Sequence, residues 1–319
     1  MEPILLSPAF KDYLWGGTKL KTHFGKKSDL AILAESWELS VHKDGQSTVA
    51  SGRDTGLSLS EYIKKHGDTI LGSKAKAFDY FPLLIKLIDA KDNLSIQVHP
   101  GDEYALKNEG EYGKTEMWYI LEAEPGASLY YGLNTTITKE EFQKRIEENT
   151  VLEVLNKVEV RPGDVFLIEA GTVHAIGKGI VICEIQQNSN TTYRVYDYDR
   201  RDAAGNPRQL HIQKALEVSD LHPVPQQDST REVIEYPGYT KEPLASCRYF
   251  TVEKLEISGK ATLAADADSF QSLIVTEGGG TLTLESTVLP LKKGDSIFVP
   301  AQAANYTVEG TCSLILSYI

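Results

Sequence analysis

Basic residues are scarce in this chain, and the shortage narrows its possible functions. Asp and Glu number 45 against 33 Lys and Arg, which gives a formal net charge of -12. Nucleic acids and anionic membrane surfaces bind basic proteins, so neither is expected as a main partner. A small anionic substrate is still compatible with this charge, because a pocket can be locally basic in an acidic protein.

Cysteines and long apolar segments are scarce as well. The three cysteines, Cys183, Cys247 and Cys312, are widely spaced and form no CxxC pair, which fits a reducing compartment and gives no disulfide framework. Cys183 lies in an apolar run and is expected in the core. The apolar run 81–85 is interrupted by Lys86, and the N-terminus is too short and too acidic for a signal peptide. We therefore expect a cytoplasmic protein without membrane spans.

Short runs typical of β-strands dominate the sequence, separated by turns of Gly, Asn, Asp and Pro. A few segments show helix patterns instead, and we expect them outside a β core. The clearest is a capping box from Ser58 to Glu61, followed by an apolar stripe. Further helices are predicted to begin at Thr138, Thr150 and His211. The expected fold is mainly β, with a few helical inserts in the N-terminal half.

The stretch Ser95-Ile96-Gln97-Val98-His99-Pro100 predicts a strand with one polar face. Side chains alternate between the two faces of a strand, so Ser95, Gln97 and His99 point one way and the apolar residues between them point the other. A polar face directed inward is typical of a barrel strand that lines a site.

Glu116 and His174 complete a candidate metal site with His99 and Gln97. Two imidazoles, a carboxylate and an amide oxygen as candidate fourth ligand are N and O donors that suit zinc, and they leave room for a water or a substrate oxygen. Each residue taken alone is more often an ordinary surface or satisfied polar group. Their combination in strand contexts favours a metal site.

The residues before His174 form a recognisable turn pattern. A Gly-Asp turn at 163–164 leads into an apolar strand, and a second glycine turn places His174 at the start of the next strand. An ordinary hairpin with an incidental histidine is the alternative. The pattern resembles the second motif of the cupin superfamily, in which this histidine is a metal ligand, although Glu169 occupies a position that is usually proline.

A weaker copy of this pattern lies near the C-terminus. The segment 294–305 aligns with the segment that ends at His174, and Asn305 takes the place of that histidine. Upstream, the same alignment places Gln271 opposite Glu116. The repeat predicts two jelly-roll units of cupin type, of which only the first carries metal.

A linker is predicted at 221–228, where Pro223, Pro225 and polar residues interrupt any periodicity. We expect residues 1–225 to form a metal-binding catalytic cupin domain with the helical inserts. Residues 229–319 are expected to form a degenerate cupin domain without metal.

Several motifs spread over nearly the whole chain resemble class I mannose-6-phosphate isomerases of the short bacterial type. The large helical insert of the longer family members is missing. The segments that carry the resemblance are Tyr13-Leu14-Trp15-Gly16-Gly17, Glu35-Ser36-Trp37-Glu38, Leu94 through Pro100, Tyr112-Gly113-Lys114-Thr115-Glu116, Gly171 through Ala175, and Thr192 through Arg200.

The resemblance implies an aldose–ketose isomerase that interconverts mannose 6-phosphate and fructose 6-phosphate, with a proton moving between C1 and C2 through an enediol. It also implies one zinc ion per chain and a small phosphorylated sugar as substrate. The zinc ligands of the family carry over onto Gln97, His99, Glu116 and His174.

The remaining roles follow from the same resemblance. Arg194 matches the catalytic arginine, Glu184 falls near the acid–base glutamate, and Lys114 matches the lysine before the metal glutamate. A water on the metal is an alternative to Glu184 as acid–base group. The residues expected on the substrate side are Ser95, Lys86 and, near the position of a phosphate-binding lysine, Arg200.

Two other functions were compatible with a cupin fold. An iron-dependent cupin oxygenase usually has a histidine-rich ligand set, whereas only His99 and His174 are available here. A non-enzymatic sugar-phosphate binding protein would be indicated by loss of Arg194 or Glu184, and both are present. The sequence therefore favours the isomerase.

Overall fold

The computed structural model describes residues 1–201, 204–225 and 230–319. The β-strands are β1 (Ile4–Ser7), β2 (Ala9–Lys11), β3 (Glu35–Leu39), β4 (Val41–His42), β5 (Gly45–Gln46), β6 (Thr48–Val49), β7 (Leu83–Ala90), β8 (Ile96–Val98), β9 (Glu116–Ala123), β10 (Ser128–Leu133), β11 (Leu155–Glu159), β12 (Val165–Ile168), β13 (His174–Ala175), β14 (Ile180–Gln187), β15 (Tyr193–Tyr196), β16 (Ile234–Tyr236), β17 (Tyr239–Ser246), β18 (Thr251–Ile257), β19 (Lys260–Ala265), β20 (Gln271–Leu284), β21 (Thr287–Lys292), β22 (Ser296–Val299) and β23 (Ala304–Tyr318). The α-helices are α1 (Lys19–Thr22), α2 (Leu59–His66), α3 (Asp102–Asn108), α4 (Lys139–Glu147) and α5 (Ile212–Val218), and short 3-10 helices span Asp68–Leu71, Ser73–Ala77 and Val151–Val154. The predicted mainly β class is confirmed.

The helix patterns read from the sequence are mostly confirmed. Helix α2 begins with the predicted capping box, in which the Ser58 hydroxyl accepts from the Glu61 N–H and the Glu61 carboxylate accepts from the Ser58 N–H. Thr138 caps α4 in the same way with one bond. The segment after Thr150 forms only a short 3-10 helix, because the chain is already extended at Leu155, where β11 begins. None of the described helices is long and apolar enough to cross a lipid bilayer.

Antiparallel strands form three large sheets. The first part of the chain contributes a six-stranded sheet in the order β12-β9-β14-β7-β3-β2 and a five-stranded sheet in the order β11-β10-β13-β8-β15. The third sheet has ten strands, with the order β16-β17-β18-β23-β20-β22-β1-β6, while β19 pairs with β23 and β21 pairs with β20. Strands β4 and β5 form a separate hairpin.

The six-stranded and five-stranded sheets enclose a core between them. Buried side chains from β9, β12 and β14 pack against side chains from β10, among them Trp118, Ile168, Ile182 and Leu129. Alternation along β14 places Glu184 on the same face as Ile182, and Cys183 lies on the opposite face in another buried cluster. The polar residues of β14 therefore point into the space between these two sheets.

The internal repeat predicted from the sequence has a structural counterpart. In the first copy Ile168 pairs with Glu116, and in the second Val299 pairs with Gln271, as the alignment requires. The turn before each strand also repeats: the Asp164 side chain accepts from the Arg161 N–H at 2.8 Å, and Asp295 accepts from the Lys292 N–H at 2.9 Å. The two copies therefore share strand register and turn geometry.

The metal positions differ between the two copies. The Gln271 amide accepts from the Tyr306 hydroxyl at 2.6 Å and donates to the Ala264 carbonyl at 2.8 Å. Asn305 is exposed at the start of β23. Since the amide of Gln271 is already hydrogen-bonded and Asn305 faces away, we continue to expect no metal in the C-terminal copy.

The N-terminal strand belongs to the sheet of the C-terminal half. Ile4 pairs with Phe298, and Leu6 pairs with Val49 on its other side, so β1 and β6 extend the ten-stranded sheet. The predicted linker at 221–228 is described only up to residue 225, and Leu221 within it is buried in a hydrophobic cluster. The division into 1–225 and 229–319 stays a prediction, and a shared sheet connects its two parts.

Candidate metal site and substrate cleft

Three neighbouring strands of the five-stranded sheet place the first group of site residues side by side. Gln97 on β8 pairs with His174 on β13 and with Arg194 on β15. The predicted alternation of this segment is confirmed, since Ile96 and Val98 pack in a hydrophobic cluster while Gln97 lies on the cleft side. The sheet thus brings together residues that are far apart in the sequence.

The six-stranded sheet supplies the facing group. Glu116 begins β9, and Glu184 on β14 pairs with Lys86 on β7. His99, Glu116 and His174 are all buried, and one potential ligand atom of each lies within 4.8 Å of the others. The predicted set of two imidazoles and a carboxylate therefore converges between the two sheets.

The tautomers of both histidines suit metal binding. The Nδ1 atom of His99 lies 2.9 Å from the Thr191 carbonyl, and Nδ1 of His174 lies 2.8 Å from the Thr172 carbonyl. A carbonyl oxygen only accepts, so each Nδ1 carries the proton and each Nε2 carries a free lone pair. This arrangement is common for histidines that bind metals through Nε2.

Both Nε2 atoms face the carboxylate of Glu116. The distances are 3.6 Å from His99 Nε2 to Oε2 and 3.3 Å from His174 Nε2 to Oε1. The Lys114 ammonium lies between the first two atoms, whereas Oε1 has no hydrogen-bond partner among the described residues and faces the His174 lone pair directly. Such lone pairs repel in a buried site unless a cation lies between them. The three residues therefore fit a metal ion.

Burial keeps the two imidazoles neutral. It lowers the pKa of His99, with further lowering by Lys114, and it lowers the pKa of His174 to about 4. Burial raises the pKa of Glu116, although Lys114 partly offsets this effect. The Lys114 ammonium contacts the Glu116 carboxylate and lies 3.2 Å from His99 Nε2. Neutral imidazole is the form that binds metal ions.

Gln97 lies beside this group. Its Nε2 atom is 3.4 Å from His174 Nε2. A half-turn of the amide exchanges its oxygen and nitrogen at this position, and the surrounding hydrogen bonds decide which faces inward. Gln97 is therefore close enough to join the donor set, and its role as a ligand stays a prediction.

A cleft of about 260 Å³ lies directly next to the donor group. Six of the residues predicted for the site line it: Lys86, Ser95, Gln97, Lys114, Glu184 and Arg194. Its other lining residues include Tyr13, Trp15, Glu35, Asn190, Thr192 and Arg208. A larger and mostly apolar cavity of about 680 Å³ lies elsewhere, around Phe78 and Tyr80, and contains none of the predicted site residues. The chemistry is thus concentrated in the smaller cleft.

Comparisons with known proteins agree with this site. A model of the catalytic domain of type I phosphomannose isomerase matches residues 4–124, and a model of the cupin domain of mannose-6-phosphate isomerase matches residues 240–319. The mannose-6-phosphate isomerase ManA of Bacillus subtilis is 42% identical, and the alignment covers 100% of this chain and 99% of that protein. The chain belongs to the type I phosphomannose isomerase family.

Solved structures show the same relationship. The crystal structure of the mannose 6-phosphate isomerase from Bacillus subtilis has a TM-score of 0.92 and 40% identity to this phosphomannose isomerase family member, with 100% of both chains covered. A mannose 6-phosphate isomerase bound with zinc and yttrium shares the fold, with a TM-score of 0.77 at 18% identity over 100% of this chain and 99% of that one. The cupin-type architecture predicted from the sequence is confirmed.

Glu184 is held by one hydrogen bond and two ion pairs. Trp118 Nε1 donates to it at 3.0 Å, Lys86 Nζ lies at 3.2 Å, and Lys114 Nζ lies at 3.8 Å. Burial would raise the pKa of Glu184, but Lys114 and Lys86 outweigh burial and lower the pKa to about 2. The carboxylate is therefore ionised at neutral pH.

Two arginines, Arg200 and Arg208, bond one carboxylate, Asp197, beside the cleft, and Arg194 lies close enough to interact electrostatically with all three. Arg208 donates to both Asp197 oxygens, at 2.7 and 2.6 Å, and Arg200 donates to Asp197 at 2.9 Å and to the Asn93 carbonyl at 2.7 Å. Arg194 NH1 donates to the Gln209 carbonyl at 2.9 Å. The region is therefore locally basic in an acidic protein.

The arginine predicted on the substrate side is not among the residues that line the cleft. Arg200 bonds to the Asn93 carbonyl and to the Asp197 carboxylate instead, whereas Arg208 lines the cleft. Arg208 was not predicted from the sequence. It follows Pro207 in an irregular segment without periodicity. Its bidentate pairing with Asp197 depends on the fold, and no local pattern indicates it.

Proposed function

We propose that this chain is a metal-dependent mannose-6-phosphate isomerase that interconverts mannose 6-phosphate and fructose 6-phosphate. The observation that carries the proposal is the buried group His99, Glu116 and His174, with both Nε2 lone pairs directed at the carboxylate, at the side of a basic cleft. Relatives that are similar over their full length bear the name of this enzyme.

We assign one zinc ion to His99, Glu116 and His174, with Gln97 as the fourth protein ligand. The N and O donor set suits zinc, and a substrate oxygen would be accommodated either in place of Gln97 or by expansion to five ligands. Bound zinc would supply Lewis-acid polarisation of that oxygen. The donor set has only two imidazoles, which disfavours the histidine-rich iron oxygenase.

Glu184 is our candidate for the proton transfer between C1 and C2. Its carboxylate is ionised, lies on the cleft wall and can therefore accept a proton. Lys114 and Lys86 hold this carboxylate in place.

Arg194 is our candidate for stabilising the negative charge that develops on the enediolate. It lies beside Gln97 on the adjacent strand, and its buried Nε atom has no hydrogen-bond partner among the residues that the structure describes. A fixed positive charge with a free N–H donor costs no reorganisation when the oxyanion forms.

The substrate side is assigned to Ser95 and Lys86 within the cleft, with the phosphate at the arginine end. Arg208 presents its guanidinium to the cleft while Asp197 fixes its orientation, and Arg200 supports the same carboxylate. Guanidinium groups bind phosphate through paired N–H donors. The phosphate of the substrate would thus lie beside Arg208, with the reacting carbons near Glu184.

Arg208→Ala should raise the KM for mannose 6-phosphate by about 10- to 100-fold, as expected for a lost charge-assisted hydrogen bond, and leave kcat within a small factor. Arg200→Ala should raise KM as well, because Asp197 loses one of its two arginine partners. Steady-state kinetics on zinc-loaded protein measures both effects. Arg201→Ala is the matched control, since its side chain is 52% exposed and pairs with Asp199. An unchanged KM in Arg208→Ala contradicts the phosphate assignment.

The proposed function is tested by metal analysis and a coupled assay for fructose 6-phosphate. We expect one zinc ion per chain, turnover of mannose 6-phosphate, loss of turnover after chelation and recovery after zinc is added back. Binding of the sugar phosphate without turnover would identify a binding protein, and oxygen consumption with bound iron would identify an oxygenase. A second zinc ion would overturn the expectation that the C-terminal copy binds none.

A further inference from the structure

A main-chain carbonyl outside the donor group orients one of its histidines. His99 Nδ1 donates to the Thr191 carbonyl at 2.9 Å, and this bond sets both the tautomer and the direction of the ring. Thr191 lies in the short connection between β14 and β15, which is not held by a sheet at that point. The direction of His99 therefore depends on what holds this connection in place.

Asn188 anchors the start of the connection by donating to the Phe81 carbonyl at 2.9 Å, and the carboxylate of Glu111 holds its second part. The Oε2 atom of Glu111 accepts from the Asn190 N–H at 3.1 Å and from the Thr191 hydroxyl at 3.3 Å. The Asn190 side chain also donates to Asp44 at 2.8 Å. Glu111 thus bonds two successive residues of the connection, one of which carries the carbonyl that accepts from His99.

Glu111 is itself fixed from the other side. Its Oε1 atom lies 2.7 Å from Lys43 Nζ and 3.3 Å from His42 Nε2, both in the hairpin formed by β4 and β5. Its side chain is 14% exposed, and burial would raise the pKa of Glu111, but Lys43, Asn190 and His42 together lower it. Glu111 is therefore an ionised anchor between the hairpin and the β14–β15 connection.

The segment that carries Glu111 also leads to a second member of the donor group. The Gly113 N–H donates to Asp102 at 2.9 Å, and the Lys114 N–H donates to the Pro100 carbonyl at 3.0 Å, so the chain between Glu111 and Glu116 is tied to the residues just after His99. Because the segment from Glu111 to Glu116 is tied down in this way, a shift of the Glu111 carboxylate would move the Thr191 carbonyl relative to His99.

We propose that Glu111 is a positioning residue for the metal site, and that it acts by holding the Thr191 carbonyl against His99 Nδ1. The inference rests on the proposed metal site. Hydrogen-bond partners of metal ligands commonly contribute about 10- to 100-fold to metal affinity. Glu111 bonds the residues that carry this partner and is therefore one hydrogen bond further from the metal. We expect its effect on zinc affinity at the lower end of this range.

The test is the zinc dissociation constant of purified protein, measured by competition with a chromogenic chelator. Glu111→Ala should weaken zinc binding by about tenfold, and Glu111→Gln should weaken it less, because an amide oxygen still accepts from Asn190. At saturating zinc, kcat should return to within a small factor of the parent value. A purely structural role would lower the unfolding temperature of the zinc-free protein without this change in zinc affinity.

Glu109→Ala is the matched control. Glu109 is a neighbouring carboxylate whose hydrogen bonds in the described part of the chain go to Tyr193 and Lys214 rather than to residues 188–192. The Glu109→Ala variant should bind zinc with the same dissociation constant as the parent protein. If Glu111→Ala does not fold, Lys43→Ala and Thr191→Val test the proposal instead. Each of these substitutions removes one bond to Glu111, and Lys43 is 71% exposed, so its loss should not disturb folding. Both should weaken zinc binding by a few-fold.

The inference is overturned if the folded Glu111 variants bind zinc within twofold of the parent, or if Glu109→Ala weakens zinc binding equally. Failure of the proposed function looks different, because the parent protein itself would then bind no zinc. If the parent binds zinc and isomerises the substrate while the Glu111 variants match it in zinc affinity, only the role of Glu111 is wrong.

Discussion

His174→Ala should leave a folded protein that binds no zinc and has lost nearly all isomerase activity. His174 is fully buried, and its Nε2 lone pair lies 3.3 Å from Glu116 Oε1. Lewis-acid stabilisation by a bound metal is worth several kcal/mol, and about 1.4 kcal/mol corresponds to a tenfold change in rate, so a loss of on the order of a thousandfold is expected. His99→Ala should behave alike, because it removes the other imidazole.

The measurement combines elemental analysis of the purified variants with kcat/KM for mannose 6-phosphate. His222→Ala is the control, since that histidine is 71% exposed, pairs with Asp220 and is not among the residues that line the cleft. Folding is checked by circular dichroism. Stoichiometric zinc in either His174→Ala or His99→Ala would show that the ion binds elsewhere.

Arg194→Ala should keep zinc and lower kcat by on the order of a hundredfold, the usual effect of losing one well-placed donor to a developing oxyanion. The apparent affinity for substrate should change by a modest factor only, because the interaction forms mainly in the transition state. The buried Nε atom without a partner supports this assignment, since a donor left free in a buried position is costly unless a ligand uses it.

Arg194→Lys separates charge from geometry. Lysine restores the positive charge but not the planar fork of N–H groups, so recovery of kcat should be partial. Steady-state kinetics on variants with equal zinc content gives the comparison. If Arg194→Ala turns over substrate like the parent, Arg194 is structural, held by Gln209 and by the His211 side chain that accepts from its main-chain N–H.

The donor group could be predicted from the sequence because each member lies in a local pattern. Two-residue alternation around Gln97 determined which side chains share a face, and the glycine turn before His174 indicated the start of a strand. Strand register then requires these residues to meet, since His174 pairs directly with Gln97. The capping box at Ser58 was predictable for the same reason, because its bonds join residues three apart.

Other parts of the site could not be predicted because they depend on contacts between distant segments. Arg208 reaches the cleft only through its pairing with Asp197, in an irregular segment. Glu111 meets Thr191 across 80 positions of sequence, and nothing near either residue indicates the other. Arg200 had an appropriate residue type, but Asn93 and Asp197 hold it outside the cleft lining.

The pairing of β1 with β22 has a consequence for synthesis of the chain on the ribosome. Ile4 leaves the ribosome long before Phe298, its partner in the sheet. Sheet pairing over such a separation is slow to form, and exposed strand edges favour association with other chains until it does. The apolar side chains of Ile4 and Leu6, which are buried in the folded protein, therefore lack their β22 partner until that strand has been synthesised, and they stay exposed or are shielded by a chaperone until then.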